Sequence, residues 1–368
     1  MDTPRKGPES QLPLQGAEDA HCSRFGAGQS DNFIVHIGIA FDLKSETKLE
    51  GRPDDWQEEL DSPLTIQQLS DSITALGHRV SLLGNGRRLV DLLLALIDPV
   101  DMVFNIAEGT TTSRSREALV PAVCQMLQIP CTGSEPSTLG VALDKSWTKR
   151  IVRAAGVVVP AGMEIIPGEP APTLLALREH NLHLFPLIVK PAWEGSSKGI
   201  RLRSLVHTLE QLTHALDDCH RQYGQPAMIE EFIDGDEVTV GLLGPKEPWF
   251  GAMRILPIRT GSPFIYSLEV KRNWKELVHY ESPAQLAPEV LARLESQARK
   301  VWGELGLRDI SRMDFRIRDG VPIFLEVNPL PGLDPVTGDL SILARGHGMT
   351  HADILNKVIA SCHSRQSP

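Results

Sequence analysis

Residues 310–332 read ISRMDFRIRDGVPIFLEVNPLPG, two runs of alternating polar and apolar residues joined by a Gly-containing turn. Side chains alternate faces along a strand, so Met313, Phe315 and Ile317 belong to one face and Arg312 and Asp314 to the other. By the same rule Ile323, Leu325 and Val327 share a face, and Glu326 and Asn328 share the opposite one. A three-residue loop, Asp319-Gly320-Val321, pairs Ile317 with Ile323 and sets Asp314 opposite Glu326. A two-residue Asp-Gly turn would pair Ile317 with Pro322 and set Asp314 opposite Leu325, mixing charge into the core. Matching the apolar faces and matching the carboxylates both select the three-residue loop, and that register is expected. Two facing carboxylates and an amide oxygen make a hard, oxygen-only set. Mg²⁺ prefers such sets and completes its shell with water and phosphate oxygens. The alternative is a solvated hairpin edge whose charges discourage pairing with another chain.

Two weaker motifs lie upstream. The run Leu187-Ile188-Val189-Lys190 ends a strand in lysine and continues as Pro191-Ala192-Trp193-Glu194-Gly195-Ser196-Ser197-Lys198-Gly199. Small residues let backbone N–H groups approach phosphate oxygens, and a lysine adds a point charge. Neither a GxxxxGK[ST] nor a GxGxxG order is present, and an ordinary polar turn is the competing reading. Residues 229–240, IEEFIDGDEVTV, offer strand backbone to an adenine edge and a carboxylate to a ribose. Without context an amphipathic strand pair around an Asp-Gly turn explains them as well.

The surrounding chain has 368 residues, 41% hydrophobic and 23% charged, with a formal net charge of −10. That length suits two or three domains. The longest apolar runs fall far short of the roughly 20 residues a membrane span needs. An acidic chain without a basic stripe is a poor nucleic-acid or anionic-membrane binder, because phosphate neutralisation needs clustered Lys and Arg. Cys22, Cys124, Cys131, Cys219 and Cys362 are scattered and odd in number, which argues for free thiols in a reducing compartment. With no secretory signal in view, cytoplasm is the default expectation.

Residues 1–31 are poor in apolar side chains and are expected to be a disordered tail. A strand at Phe33–Ile39 is followed by alternating helix and strand patterns through Thr132, implying an open parallel α/β sheet. Helix patterns at Asp144–Ala155, Thr173–Asn181 and Leu205–Asp218 flank strands at Leu187–Lys190, Ile200–Arg203 and Ala227–Phe232. Mostly β patterns follow Glu237, with helices at Pro288–Leu305 and Asp353–Ser361. The expected division is 32–140, 141–229 and 230–368.

Taken in order, Leu143-Asp144-Lys145, Val189-Lys190-Pro191, Glu194-Gly195-Ser196-Ser197, Arg312-Met313-Asp314 and Glu326-Val327-Asn328 followed by Pro331-Gly332 resemble the ATP-grasp superfamily. The nearest likeness is to the D-alanine–D-alanine ligases, over about residues 119 to 345. The resemblance implies an α/β, three-domain ATP-grasp architecture, with ATP between the central and C-terminal domains. It implies an ATP-dependent carboxylate–amine ligase that forms an amide through an acyl phosphate. Lys145, Lys190 and Lys271 would contact phosphates, and the Glu194–Gly199 loop, with Ser196 and Ser197, would close over them. Glu230, Glu231 and Ile233 would flank adenine, and Glu237 would hold the ribose. Asp314, Glu326 and Asn328 would bind two Mg²⁺ ions, with Mn²⁺ as a substitute. Arg312, the Gly332 N–H and Ser196 would act at the reacting carbonyl. A homodimer is implied by the family alone.

The departures cluster where the first substrate is recognised. The Gly-Gly-x-Ser-x-Glu loop usual after the first strand is replaced by Gly38-Ile39-Ala40-Phe41-Asp42-Leu43-Lys44-Ser45-Glu46. Asp42 or Glu46 could take over from its glutamate. The usual tyrosine after the phosphate lysine is Arg272, and a His-Gly pair is Glu108-Gly109. Glu108 could meet a substrate ammonium, or simply favour a helix N-terminus. Arg116 could meet a substrate carboxylate, or be an exposed helix residue. The expectation is a ligase of small amino-acid or peptide substrates with altered specificity. The rivals are another ATP-grasp peptide or metabolite ligase, and a nucleotide-binding regulator that has lost ligation.

Overall fold

The structure is a computed structural model that describes residues 33–44, 51–259 and 263–366. The expected tail, Cys22 and Glu46 lie outside the described residues. Strands β1 (His36–Ala40), β2 (Arg79–Gly84) and β3 (Met102–Asn105) form a parallel sheet in the order β2-β1-β3. All of β1 is buried, which is why Ile37–Ala40 shows no alternation with polar residues. Helix Pro63–Ala75 connects β1 to β2; the Ser62 side chain accepts the Thr65 N–H, and Ile66, Leu69 and Ile73 turn inward. The strand expected near Ile129–Thr132 is reduced to a single parallel bridge, Val103 to Cys131.

A second, antiparallel sheet has the order β4-β7-β5-β6: β4 (Gly162–Ile165), β5 (Leu187–Pro191), β6 (Leu205–Val206) and β7 (Ala227–Glu231). Its last strand ends at Glu231, two residues beyond the expected boundary at 229. The returning strand is not Ile200–Arg203 but the two residues Leu205–Val206. Residues Leu202–Ser204 form a 3₁₀ turn instead, because Arg201 and Ser204 use their backbone on each other: the Ser204 N–H donates to the Arg201 carbonyl, and the Arg201 N–H to Ser204 Oγ. The next helix therefore starts later, at Leu209, capped by Thr208. It buries Leu212, Leu216 and Cys219 and ends at Gly224 in the left-handed conformation, φ +62°.

The third sheet is antiparallel, ordered β10-β9-β8-β11-β12: β8 (Asp236–Gly244), β9 (Trp249–Pro257), β10 (Val278–Glu281), β11 (Asp309–Arg318) and β12 (Val321–Asn328). Helix Pro288–Glu304 covers one face; its Leu294, Ala298 and Val301 share a core with Met313, Phe315, Phe324 and Val327.

The expected hairpin register is wrong at the turn. Ile317 pairs with Pro322, and the turn is the two-residue Asp319-Gly320, with φ of +53° and +72°. Two positive φ values are what a type I′ turn demands, and its twist matches that of the flanking strands. Asp314 nevertheless pairs with Glu326, because the ladder slips between Asp314 and Phe315 and leaves Leu325 without a partner. This β-bulge absorbs the one-residue offset. It also moves Leu325 off the core face and onto the wall of the cleft described next.

Candidate active site

The cleft lies between the second and third sheets and is lined from β5 by Lys190, from β7 by Glu230 and Glu231, and from β8 by Glu237. Ile233, Lys271, Arg312, Asp314, Glu326 and Ser197 line it as well, whereas Lys145 and Asn328 do not and instead line a separate small cavity with Glu194 and Glu326. Lys190 Nζ lies 2.9 Å from Glu230 Oε2. A second lysine, Lys149, pairs with the other oxygen of Glu230. Lys149 was not anticipated; its signal was spacing, one helical turn after Lys145 on helix Lys145–Ala154. Burial would raise the Glu230 carboxyl, but the two lysines outweigh it and hold the group near 2. Burial pushes Lys149 down to about 7. Glu230 thus organises lysines, whereas the outer wall carries two arginine-paired carboxylates. Glu231 pairs with Arg318, and Glu237 with Arg316, which also takes the Ile233 carbonyl at 2.9 Å.

At the floor, Asp314 accepts from Thr239 Oγ1 at 2.9 Å and from Arg312 Nη2 at 2.9 Å. Burial, with Glu326 adding to it, raises Asp314 to about 6 against the pull of Arg312. Glu326 goes the other way: burial is outweighed by Lys145, Lys190 and Arg312, and it falls to about 2. Lys145 Nζ is 3.4 Å from Glu326. Asn328, two residues on, has a buried amide nitrogen without a partner. Among the described residues no three His, Cys, Asp or Glu side chains converge as a metal cluster. The two carboxylates and the Asn328 amide oxygen instead offer an all-oxygen set to a hard cation that draws its remaining ligands from phosphate and water, while the unpartnered Asn328 nitrogen is a donor for an acceptor oxygen.

A second chamber of about 270 Å³ adjoins the cleft, and Lys271, Arg312 and Asp339 line both. Arg312 is buried, gripped by Asp314 and by Asp339 at 3.3 Å, and its Nε has no partner. A buried, unspent guanidinium N–H between two cavities is a donor for an oxygen that develops charge there. Ser196 and Gly332 line this second chamber, while Ser197 lines the first. Glu108 and Asp61 reach it as well, and so does Glu117. Burial raises Glu108 well above its usual range, with Glu117 and Glu59 adding to the effect. Burial also raises Asp61 and Glu117 to about 7.

Three expectations are redirected. Glu194 does not line the cleft; it pairs with Lys198 and accepts from Gln225 Nε2 at 2.7 Å. Arg116 is not an exposed helix residue: it is buried and bonds Glu59 at 2.9 Å and the Trp193 carbonyl at 2.8 Å. Asp42 is spent on structure, accepting the Gly109 N–H at 2.8 Å and the Asn85 amide. Glu59 reaches the Ser196 loop instead, pairing with Lys198 at 2.6 Å and accepting the Gly195 N–H at 2.7 Å. Burial is outweighed there by Lys198 and Arg116, and Glu59 falls to about 2. The approach is close: a Cβ at Gly195 would meet Glu59 Oε1 at 2.7 Å and push that carboxylate away.

Comparison with known proteins agrees with this arrangement. A family model described as "D-ala D-ala ligase C-terminus" matches residues 153–360. A D-alanine–D-alanine ligase of Sinorhizobium fredii is 31% identical over 304 residues, covering 80% of this chain and 90% of the relative. One from Aquifex aeolicus is 31% identical over 299 residues, covering 80% and 93%. The crystal structure of a D-alanine–D-alanine ligase from Bacillus anthracis superposes with a TM-score of 0.70 at 20% identity, covering 90% of this chain and 98% of that one.

Proposed function

We infer the reaction from the family, for the chain belongs to the D-alanine–D-alanine ligases and is an ATP-dependent ligase of that kind. The observation that carries the reading is that Arg312 and Lys271 line both cavities. A phosphoryl group held in one and a substrate carboxylate held in the other would meet beside the same two cations. No helix among the described residues is long and apolar enough to cross a membrane. A cytoplasmic location is part of the proposal, as are homodimerisation and the three-domain division at 32–140, 141–229 and 230–368.

A carboxylate is a poor electrophile because its leaving group would be oxide. Attack of a substrate carboxylate oxygen on the γ-phosphorus of ATP releases ADP and leaves an acyl phosphate. The amine of a second substrate then adds to the acyl carbon, the oxyanion collapses, phosphate departs, and the amine loses a proton. Lys145, Lys190 and Lys271 offset phosphate charge. Arg312, with its unpartnered Nε, and the Gly332 N–H receive the oxyanion. Asp314, Glu326 and Asn328 would hold Mg²⁺, or Mn²⁺ in its place, whose charge stabilises the transferring phosphoryl group. Ser196 and Ser197, with the loop that carries them, exclude water from the acyl phosphate.

The substrates proposed are small amino acids or peptides, with specificity shifted from a D-alanine pair. The support is the second chamber, where Glu108 stands in place of the usual histidine and Glu59 is already neutralised by Lys198 and Arg116. A phosphate-release screen over amino-acid pairs, with mass spectrometry of the product, tests both parts. No ADP release with any pair would overturn ligation in this chain. Highest turnover with D-alanine alone would overturn the shift in specificity.

A further inference from the structure

Ser196 and Ser197 are consecutive non-glycine residues in the left-handed region, with φ of +49° and +59°. Such backbone is disfavoured for L-residues and persists only where surroundings impose it. The imposing contacts come from residues 51–61, far away in the chain. Asp55 is wholly buried, at 0% exposure, and its Oδ2 accepts the Gly199 N–H at 2.9 Å. Tyr223 OH donates to the same carboxylate at 2.7 and 2.9 Å, and Arg201 Nη2 donates at 3.2 Å. Glu59, one turn later, holds the other end of the loop through the Gly195 N–H. Gly199 cannot be exchanged for a bulkier residue, since its φ is +74° and a Cβ would meet Pro191 at 2.4 Å.

Asp55 lines neither the cleft nor the second chamber. Its neighbours Glu59, Leu60 and Asp61 do line the chamber. One short segment thus faces the amino-acid side of the site and grips both ends of the loop on the phosphate side. We propose that Asp55, oriented by Tyr223, is a positioning residue that holds the Gly195–Gly199 loop closed and so keeps water from the acyl phosphate. The inference rests on the ligase reading above. When the loop opens early, water adds to the acyl carbon and the bond to the phosphate oxygen breaks. Carboxylate and inorganic phosphate are released, and ATP is consumed without an amide being made.

The test compares the full-length wild type with Asp55→Ala, Asp55→Asn and Tyr223→Phe, using the amino-acid pair selected by the phosphate-release screen. ADP released and amide formed are measured together. Wild type gives one ADP per amide. Asp55→Ala gives a several-fold excess of ADP and a several-fold higher KM for ATP, and Asp55→Asn, which keeps one acceptor for Gly199, recovers part of the coupling. Tyr223→Phe, which removes a single hydroxyl, gives a smaller excess and decides the matter if Asp55→Ala does not fold. A one-to-one ratio in folded Asp55→Ala or Tyr223→Phe overturns the proposal. Hydrogen exchange at the Gly195 and Gly199 amides reads the same latch without turnover: at least tenfold faster exchange in the variants supports it, and unchanged exchange overturns it. A wild type that releases no ADP with any pair counts against the ligase reading, and the exchange measurement still decides this one.

Discussion

Asp314 and Glu326 face each other across β11 and β12 because Leu325 is left out of the ladder between them. The pairing survives a turn that, without a bulge, would have separated them. Burial, with repulsion from Glu326 adding to it, raises Asp314 to about 6 against the pull of Arg312, while Glu326 is held down by Lys145, Lys190 and Arg312. A cation bound between them would relieve that repulsion.

Asp314→Asn and Glu326→Gln should each lower kcat by at least about 100-fold, since a catalytic metal supplies several kcal/mol of charge stabilisation. ADP release measured against Mg²⁺ concentration should show the half-saturating concentration rising in both. Unchanged Mg²⁺ dependence would remove these residues from the metal site.

Arg312→Lys should be far from conservative. Its guanidinium holds Asp314 and Asp339 together and leaves Nε for the substrate; a lysine cannot do all three. The expected loss is about 100- to 1,000-fold in kcat, the cost of one oxyanion donor, with the KM for ATP nearly unchanged. Steady-state kinetics with ATP varied at saturating amino acid separates the two parameters.

Glu230 neutralises Lys149 and Lys190 in a buried setting. Glu230→Ala leaves two ammonium groups without their carboxylate and should cost about 3–5 kcal/mol of stability. Lys149→Met, which removes one charge and leaves the Glu230–Lys190 pair, should cost much less. Urea unfolding of the three proteins ranks them; equal losses would contradict the assignment.

Asp61 should make stability fall as pH rises. Burial holds its carboxyl near 7, with Asp334 and Asp42 adding and Lys44 opposing, against an ordinary value of 3.8. The folded state therefore binds more protons than the unfolded state between about pH 4 and 7, and stability is lost across that window. Asp61→Asn should flatten the fall in unfolding midpoint between pH 5 and 7, read by thermal melts. A variant that falls as steeply as the wild type would rule out Asp61 as the source.

Much of the nucleotide side was legible in the chain because its signals are local. Lys190 ends a strand whose apolar run is continuous, and Asp144 caps the helix that begins with Lys145. Alternation alone put Asp314 on one strand face, and Glu326 with Asn328 on another. The amino-acid side was legible only in part: Glu108 does line the second chamber. The search for a glutamate stopped at Asp42 and Glu46, near the first strand, whereas Glu59, 136 residues from Gly195, reaches the Ser196 loop. Lys198 read only as part of a phosphate-facing or ordinary polar turn and is instead a buried partner of Glu59 and Glu194.

By itself the sequence determined the three groups of strands, the order of the cationic and anionic residues and most of the faces that side chains occupy, though Phe324 rather than Leu325 joins the core of the hairpin. These follow from backbone periodicity and from hydrogen bonds between near neighbours, which a short window of residues contains. Only the tertiary structure decided the turn and bulge of the hairpin, the burial of Arg116 and the grip of Asp55 and Glu59 on the glycine-serine loop. The turn and bulge are settled within the hairpin, by matching a type I′ turn to both strand faces; the other two depend on contacts between distant segments and on the cost of leaving a buried charge or N–H group without a partner.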